Sequence, residues 1–137
     1  MAPSGSNNEK KDILVAEDDD TCFYYLSEVL QNSNTNIIRK SNGVDVFVEC
    51  IKNPCIYAVL MDIKMPGING FEATRLIKKY RPDIQIIAQT AYVTLEDRAK
   101  CYKAGCDEYL SKPIMPETLL NTMCKILEKT TNNSIPI

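Results

Sequence analysis

Histidine is absent from all 137 residues, and so is tryptophan. Without histidine the chain cannot build a Ser-His or Cys-His nucleophile pair, and it lacks the usual general base of neutral pH. Any chemistry must run on carboxylates, hydroxyls, lysine or a bound metal. Long apolar runs are missing as well. The longest, Cys55 to Met61, is seven residues, far short of the ~20 that span a bilayer, and no apolar leader core follows Met1. Six cysteines are present, but none forms a C-x-x-C pair. With no secretion signal they are expected to be free thiols in a reducing compartment, not a disulfide frame or zinc site. Strong positive charge is also lacking: the net charge is -2 and the pI near 5.2. The basic clusters, Lys10-Lys11 and Lys78-Lys79 with Arg81, are too small for a nucleic-acid footprint. These absences predict a cytoplasmic segment that contacts neither nucleic acid nor membrane.

What remains has the composition of an ordinary globular domain, 45% hydrophobic and 25% charged, at a length that suits one core. Residues 1–11 and 130–137 are polar and aperiodic and are expected to be tails around a single domain over 12–129. Between them, short apolar runs alternate with helix-period stretches, the pattern of a parallel sheet flanked by helices. Strands are expected at 13–16, 36–38, 56–61, 84–88 and 108–110. Helical stripes occupy the gaps: Cys22, Leu26, Val29 and Leu30; Val44, Phe47, Val48 and Ile51; Ala73, Leu76, Ile77 and Tyr80; Leu119, Met123, Ile126 and Leu127. A weaker helix over about 95–103 has Leu95, Ala99 and Tyr102 as its apolar face and Thr94 as N-cap. The result is a (βα)5 α/β chain.

In open α/β sheets, ligand sites lie beyond the carboxyl ends of the strands. The first strand runs into Glu17-Asp18-Asp19-Asp20, the third into Asp62, the fourth into Thr90 and the fifth into Lys112. Each has a plain structural explanation: helix-start acids that complement the macrodipole, a turn aspartate, a cap, a solvated lysine. Jointly they put carboxylates, a hydroxyl and an ammonium on one rim. Clustered carboxylates call for a hard divalent ion such as Mg2+, which completes its shell with waters and phosphate oxygens, so the rim suits phosphoryl transfer.

Four ordered motifs resemble those of response-regulator receiver domains. They are Ile13-Leu-Val-Ala-Glu-Asp-Asp19; Val59-Leu-Met-Asp-Ile-Lys-Met-Pro-Gly67 with Asn69-Gly70; Ala88-Gln-Thr-Ala91; and Ala104-Gly-Cys-Asp-Glu-Tyr-Leu-Ser-Lys-Pro113. The resemblance covers about Asp12 to Lys129. It implies a flavodoxin-like, doubly wound five-stranded parallel sheet of order 2-1-3-4-5. By the same resemblance Asp62 is the phosphoacceptor, and Asp18 and Asp62 ligate Mg2+ directly. Glu17 acts on the metal through water, and the Lys64 backbone carbonyl is a further ligand. Thr90 and Lys112 contact the phosphoryl group, Thr90 and Tyr109 form the switch, and Lys112-Pro113 is cis.

The implied activity is acceptance of a phosphoryl group from a histidine kinase or histidine phosphotransfer domain. Such a receiver catalyses its own phosphorylation and slow autodephosphorylation and acts on no separate substrate. Glu17 stands where the family more often has aspartate, and Lys64 and Tyr92 occupy positions expected to influence acyl-phosphate lifetime. Two settings stay open, a stand-alone receiver or part of a hybrid histidine kinase, and Met65-Pro-Gly-Ile-Asn-Gly-Phe-Glu72 favours the second. A haloacid-dehalogenase-type phosphatase expects an acid where Lys64 stands. A flavodoxin-like cofactor binder needs a phosphate loop where the acidic run stands. A pseudo-receiver needs an impaired pocket.

Overall fold

The computed structural model describes residues 11–31, 35–91 and 94–134, with side chains described through residue 128. Its elements alternate strictly. β1 is Asp12–Ala16, α1 Asp20–Leu30, β2 Asn36–Lys40, α2 Gly43–Lys52 and β3 Ile56–Asp62. They are followed by α3 Gly70–Tyr80, β4 Gln85–Thr90, α4 Leu95–Ala104, β5 Glu108–Ser111 and α5 Pro116–Ser134. The strands pair in parallel in the order β2-β1-β3-β4-β5, as the resemblance implies. The α5 backbone continues as helix to Ser134, past the boundary expected at Lys129.

β1 and β3 are buried along their whole length, because helices cover both faces of the sheet. Leu14, Val59, Met61, Ile86 and Ala88 face Val46, Ala73 and Ile77 on one side. Ile13, Val15, Leu60 and Ile87 face Leu26, Leu30, Leu119 and Ile126 on the other. Strand order reverses between β1 and β3, so a crevice opens where those two strands end.

The expected α4 stripe turns outward, and so does that of α2 apart from Phe47, which packs against the core. In α2, Val44, Val48 and Ile51 are 49%, 46% and 45% exposed, and the buried face is Gly43, Val46 and Cys50. In α4, Leu95 is 84% and Tyr102 49% exposed, Ala99 is exposed too, and burial falls on Cys101 and Ala104. In α4 the side chains that reach the core, Cys101 and Ala104, are small, and the bulkier ones remain outside, whereas α2 sets Phe47 against the core beside Val46 and Cys50. Thr94 does cap α4, accepting the Asp97 N–H at 3.0 Å. Gly105 ends that helix with φ +114°, a conformation glycine adopts without penalty. All six cysteines are free, three of them (Cys50, Cys101 and Cys106) buried.

Candidate functional site

The four consecutive acids after β1 separate into distinct environments. Glu17 continues the ladder, its N–H donating to the Lys40 carbonyl at 3.0 Å, and its side chain is 1% exposed. Glu17 Oε2 accepts the Asp19 N–H at 3.2 Å. Asp18 is exposed at the mouth of the crevice. Asp19 is the N-cap of α1 and accepts the Cys22 N–H at 3.1 Å, and Asp20 sits in the first helical turn. The helix-start explanation therefore holds for Asp19 and Asp20, while Glu17 and Asp18 look into the crevice.

Asp62 closes β3 and is 6% exposed. Its Oδ1 accepts the Lys64 N–H at 3.1 Å, and its Oδ2 meets Lys112 Nζ at 3.2 Å. The backbone beneath it is fixed twice, by Ile63 N–H on the Gln89 carbonyl at 3.2 Å and by Gly70 N–H on the Ile63 carbonyl at 3.0 Å. A Cβ at Gly70 would lie 2.7 Å from Ile63 Cα and 2.9 Å from the Asp62 carbonyl oxygen. Glycine there is what lets α3 start against the strand end that carries Asp62.

Ligand oxygens of Glu17, Asp18 and Asp62 all lie within 4.8 Å of one another. Lys112 Nζ reaches Glu17 Oε1 at 3.5 Å as well as Asp62. Burial, reinforced by the Asp62 carboxylate, pushes the Glu17 carboxyl up to about 7. Burial also opposes the Lys112 charge, but Asp62 and Glu17 outweigh it and raise that ammonium above its ordinary value. One ammonium thus leaves the pocket short of positive charge. Three clustered carboxylate oxygens are hard donors, and their fit to a small divalent cation follows from this imbalance.

Thr90 ends β4 and is 7% exposed. It borders a cavity of about 100 Å3 shared with Ile63, Lys64, Phe71, Asp97 and Cys101. Its carbonyl accepts the Lys112 N–H at 2.8 Å, which ties β4 to the lysine. The Lys112-Pro113 bond is cis, as the resemblance implies. Tyr109 is half-buried on β5, with the Arg98 guanidinium 5.5 Å from its ring centre.

The structure thus brings Glu17, Asp18, Asp62 and Lys112 into one pocket with Thr90 adjoining. Lys64 touches Asp62 through its N–H, and Tyr92 lies outside the described residues. Sequence reasoning missed Gln89, which is 1% exposed and whose side-chain Nε2 has no hydrogen-bond partner among the described residues. It lines a groove of about 560 Å3 with Cys22, Tyr25, Lys112, Pro113 and Ile114. The signals for it were a polar residue interrupting the apolar run of β4 and its place inside the motif Ala88-Gln-Thr-Ala91.

Residues 13–124 match the family model of the response regulator receiver domain. Protein PilH of Pseudomonas aeruginosa is 36% identical over 118 residues, covering 84% of this chain and 96% of that protein. Hybrid signal transduction histidine kinase I of Dictyostelium discoideum is 33% identical over an alignment of 143 positions, covering 96% of this chain and 8% of that protein. The chain spans less than a third of the length of several curated relatives that it matches. Among solved structures, the receiver domain of a sensor histidine kinase from Pseudomonas aeruginosa PAO1 has a magnesium ion coordinated in its active site cleft. It superposes with a TM-score of 0.79 at 26% identity, covering 87% of this chain and 98% of that one.

Proposed function

The chain belongs to the response regulator receiver domain family, and on that premise we propose that it is a Mg2+-dependent phosphoryl-accepting switch with Asp62 as acceptor. The observation that carries the reading is the Asp62 carboxylate itself. It sits at a buried strand end, bound by Lys112 Nζ and the Lys64 N–H, with Glu17 and Asp18 beside it. Asp18, Asp62 and the Lys64 carbonyl would hold Mg2+, with Glu17 acting through a water. The ion would offset the negative charge gathered between carboxylates and phosphoryl oxygens.

The donor is a phosphohistidine on a histidine kinase or phosphotransfer domain. An Asp62 oxygen forms the new P–O bond as the P–N bond to the histidine breaks, and the imidazole leaves with the electron pair. The backbone bonds at Ile63 and Gly70 hold the acceptor oxygens for in-line approach. Lys112 exchanges its carboxylate contacts for a phosphoryl oxygen, and the Thr90 hydroxyl donates to another. Movement of Thr90 toward the phosphate leaves room for Tyr109 to turn inward, which alters the surface around α4 and β5. The apolar groove beside Lys112 gives the donor protein a place to seat next to Asp62.

The segment modifies itself and acts on no separate substrate. Among the described residues no helix is long and apolar enough to cross a membrane, in keeping with a cytoplasmic module, whether free or within a hybrid kinase. Treatment with Mg2+ and acetyl phosphate should add one phosphoryl group to the intact mass, and Asp62→Asn should remain unmodified. Full labelling of Asp62→Asn at the native rate would overturn the assignment.

A further inference from the structure

Arg39 stands on β2 opposite Val15 of β1 and makes three contacts around the acidic loop. Its Nε donates to the Glu17 carbonyl at 3.1 Å. One Nη pairs with Asp20 Oδ1 at 2.8 Å. The guanidinium carbon lies 4.7 Å from the centre of the Phe23 ring. These contacts grip the chain on both sides of Asp18, which is exposed and so depends on the loop backbone for its place beside Asp62.

We infer that Arg39 is a positioning residue for the acidic pocket, holding the β1–α1 turn so that Asp18 stays in place for a divalent cation. This rests on the Mg2+ reading of the site given above. An ion pair with Asp20, which is 76% exposed, would by itself matter little. The bond to the main-chain carbonyl, with the guanidinium stacked on Phe23, gives Arg39 its hold. A planar fork reaches the carbonyl and the carboxylate together, whereas a lysine ammonium reaches one of them.

The test is Mg2+ titration of the unphosphorylated protein followed by amide chemical shifts, with thermal melting of each variant alongside. Arg39→Ala should raise the Mg2+ Kd roughly tenfold, the cost usual for losing a residue that orients a metal ligand. Arg39→Lys should fall between it and wild type, and Asp20→Asn should change Kd less than about twofold. The Asp18 and Asp19 amides should shift in Arg39→Ala before any metal is added. Phosphorylation at saturating Mg2+ should return to the wild-type rate, since Asp62 and Lys112 are untouched. If Arg39→Ala fails to fold, Arg39→Lys carries the comparison. Wild-type Kd in the folded Arg39 variants overturns the role of Arg39 while leaving the site reading intact. No Mg2+ binding by the wild type overturns both.

Discussion

Lys112 and Asp62 lie 50 positions apart in the chain and meet at 3.2 Å between Nζ and Oδ2. The contact joins the ends of β3 and β5, with β4 between them. It also gives the buried Asp62 carboxylate, the proposed acceptor, a cation within bonding distance. Lys112→Ala should therefore slow phosphorylation by acetyl phosphate at least tenfold, a barrier increase of about 1.4 kcal/mol, with the fold preserved. Time courses by intact mass, with melting curves as control, measure it. Wild-type rates in Lys112→Ala would remove the lysine from the phosphoryl site.

Glu17 should make stability depend on pH in the metal-free protein. In the unfolded chain its carboxyl titrates near 4.5, and in the fold it is held up to about 7. Between these values the folded protein keeps a proton that the unfolded chain has released. The contribution is therefore full below pH 4.5 and is lost as pH rises through 7, with a slope that approaches roughly 1.4 kcal/mol per pH unit. Urea unfolding between pH 5 and 8 should show this fall in wild type. Glu17→Gln should lack that component, and added Mg2+ should reduce it by favouring the ionised form. A wild-type slope equal to that of Glu17→Gln would contradict the proposal.

Asp18→Asn should weaken Mg2+ affinity more than Glu17→Gln does. Asp18 stands at the mouth, where the proposed reading makes it a direct ligand, while Glu17 is held behind it by the Asp19 N–H and Lys112. Replacing a direct ligand should cost roughly tenfold or more. Titrations of the two variants beside wild type give the order, and equal affinities in all three would mean that the acidic run is only a solvated helix start.

Gly70→Ala should damage the site from behind. The added Cβ would meet backbone atoms of Ile63 and Asp62 at 2.7 and 2.9 Å, and backbone cannot swing aside as a long side chain can. We expect a loss of roughly 1–3 kcal/mol together with slower phosphorylation, read from urea midpoints and acetyl phosphate kinetics. Native stability would show that α3 moves away from β3 without cost.

Thr90→Ala should still accept phosphate but fail to pass the change to Tyr109. The hydroxyl lost is the group proposed to draw β4 toward the phosphoryl oxygens. Chemical shifts of the Tyr109 ring with and without beryllofluoride should move in wild type and barely move in the variant. Equal responses would break the proposed relay.

The acidic run shows where sequence reading stops. That Glu17 and Asp62 stand at strand ends was legible, because apolar runs buried on both faces mark strands and end abruptly at the first charge. The four site positions along the chain could likewise be placed on one rim, since parallel strands with helical crossovers put all their carboxyl ends on the same edge. Residue type and spacing alone did not separate Glu17, Asp18, Asp19 and Asp20; only the resemblance singled out the first two, and the burial of Glu17 against the exposure of Asp18 was not legible at all. That depends on the Lys40 carbonyl, on Lys112 and on Arg39, partners that come from other segments of the chain.

The helices divide in the same way. For α1 and α5 the apolar period named the buried face, because Leu26, Leu30, Leu119 and Ile126 are large and sit on that face. For α2 the period was right only at Phe47, which packs against the core beside Val46 and Cys50, and for α4 it pointed outward, because the small Cys101 and Ala104 make the core contacts and small residues add little to a hydrophobic pattern. The sequence by itself thus determined the element types, their order and the edge on which the chemistry gathers, all of which follow from local periodicity and chain connectivity. Only the tertiary structure decided which carboxylates are buried, how far apart they stand and which helix faces stay in water, because those depend on contacts between segments that the chain keeps far apart.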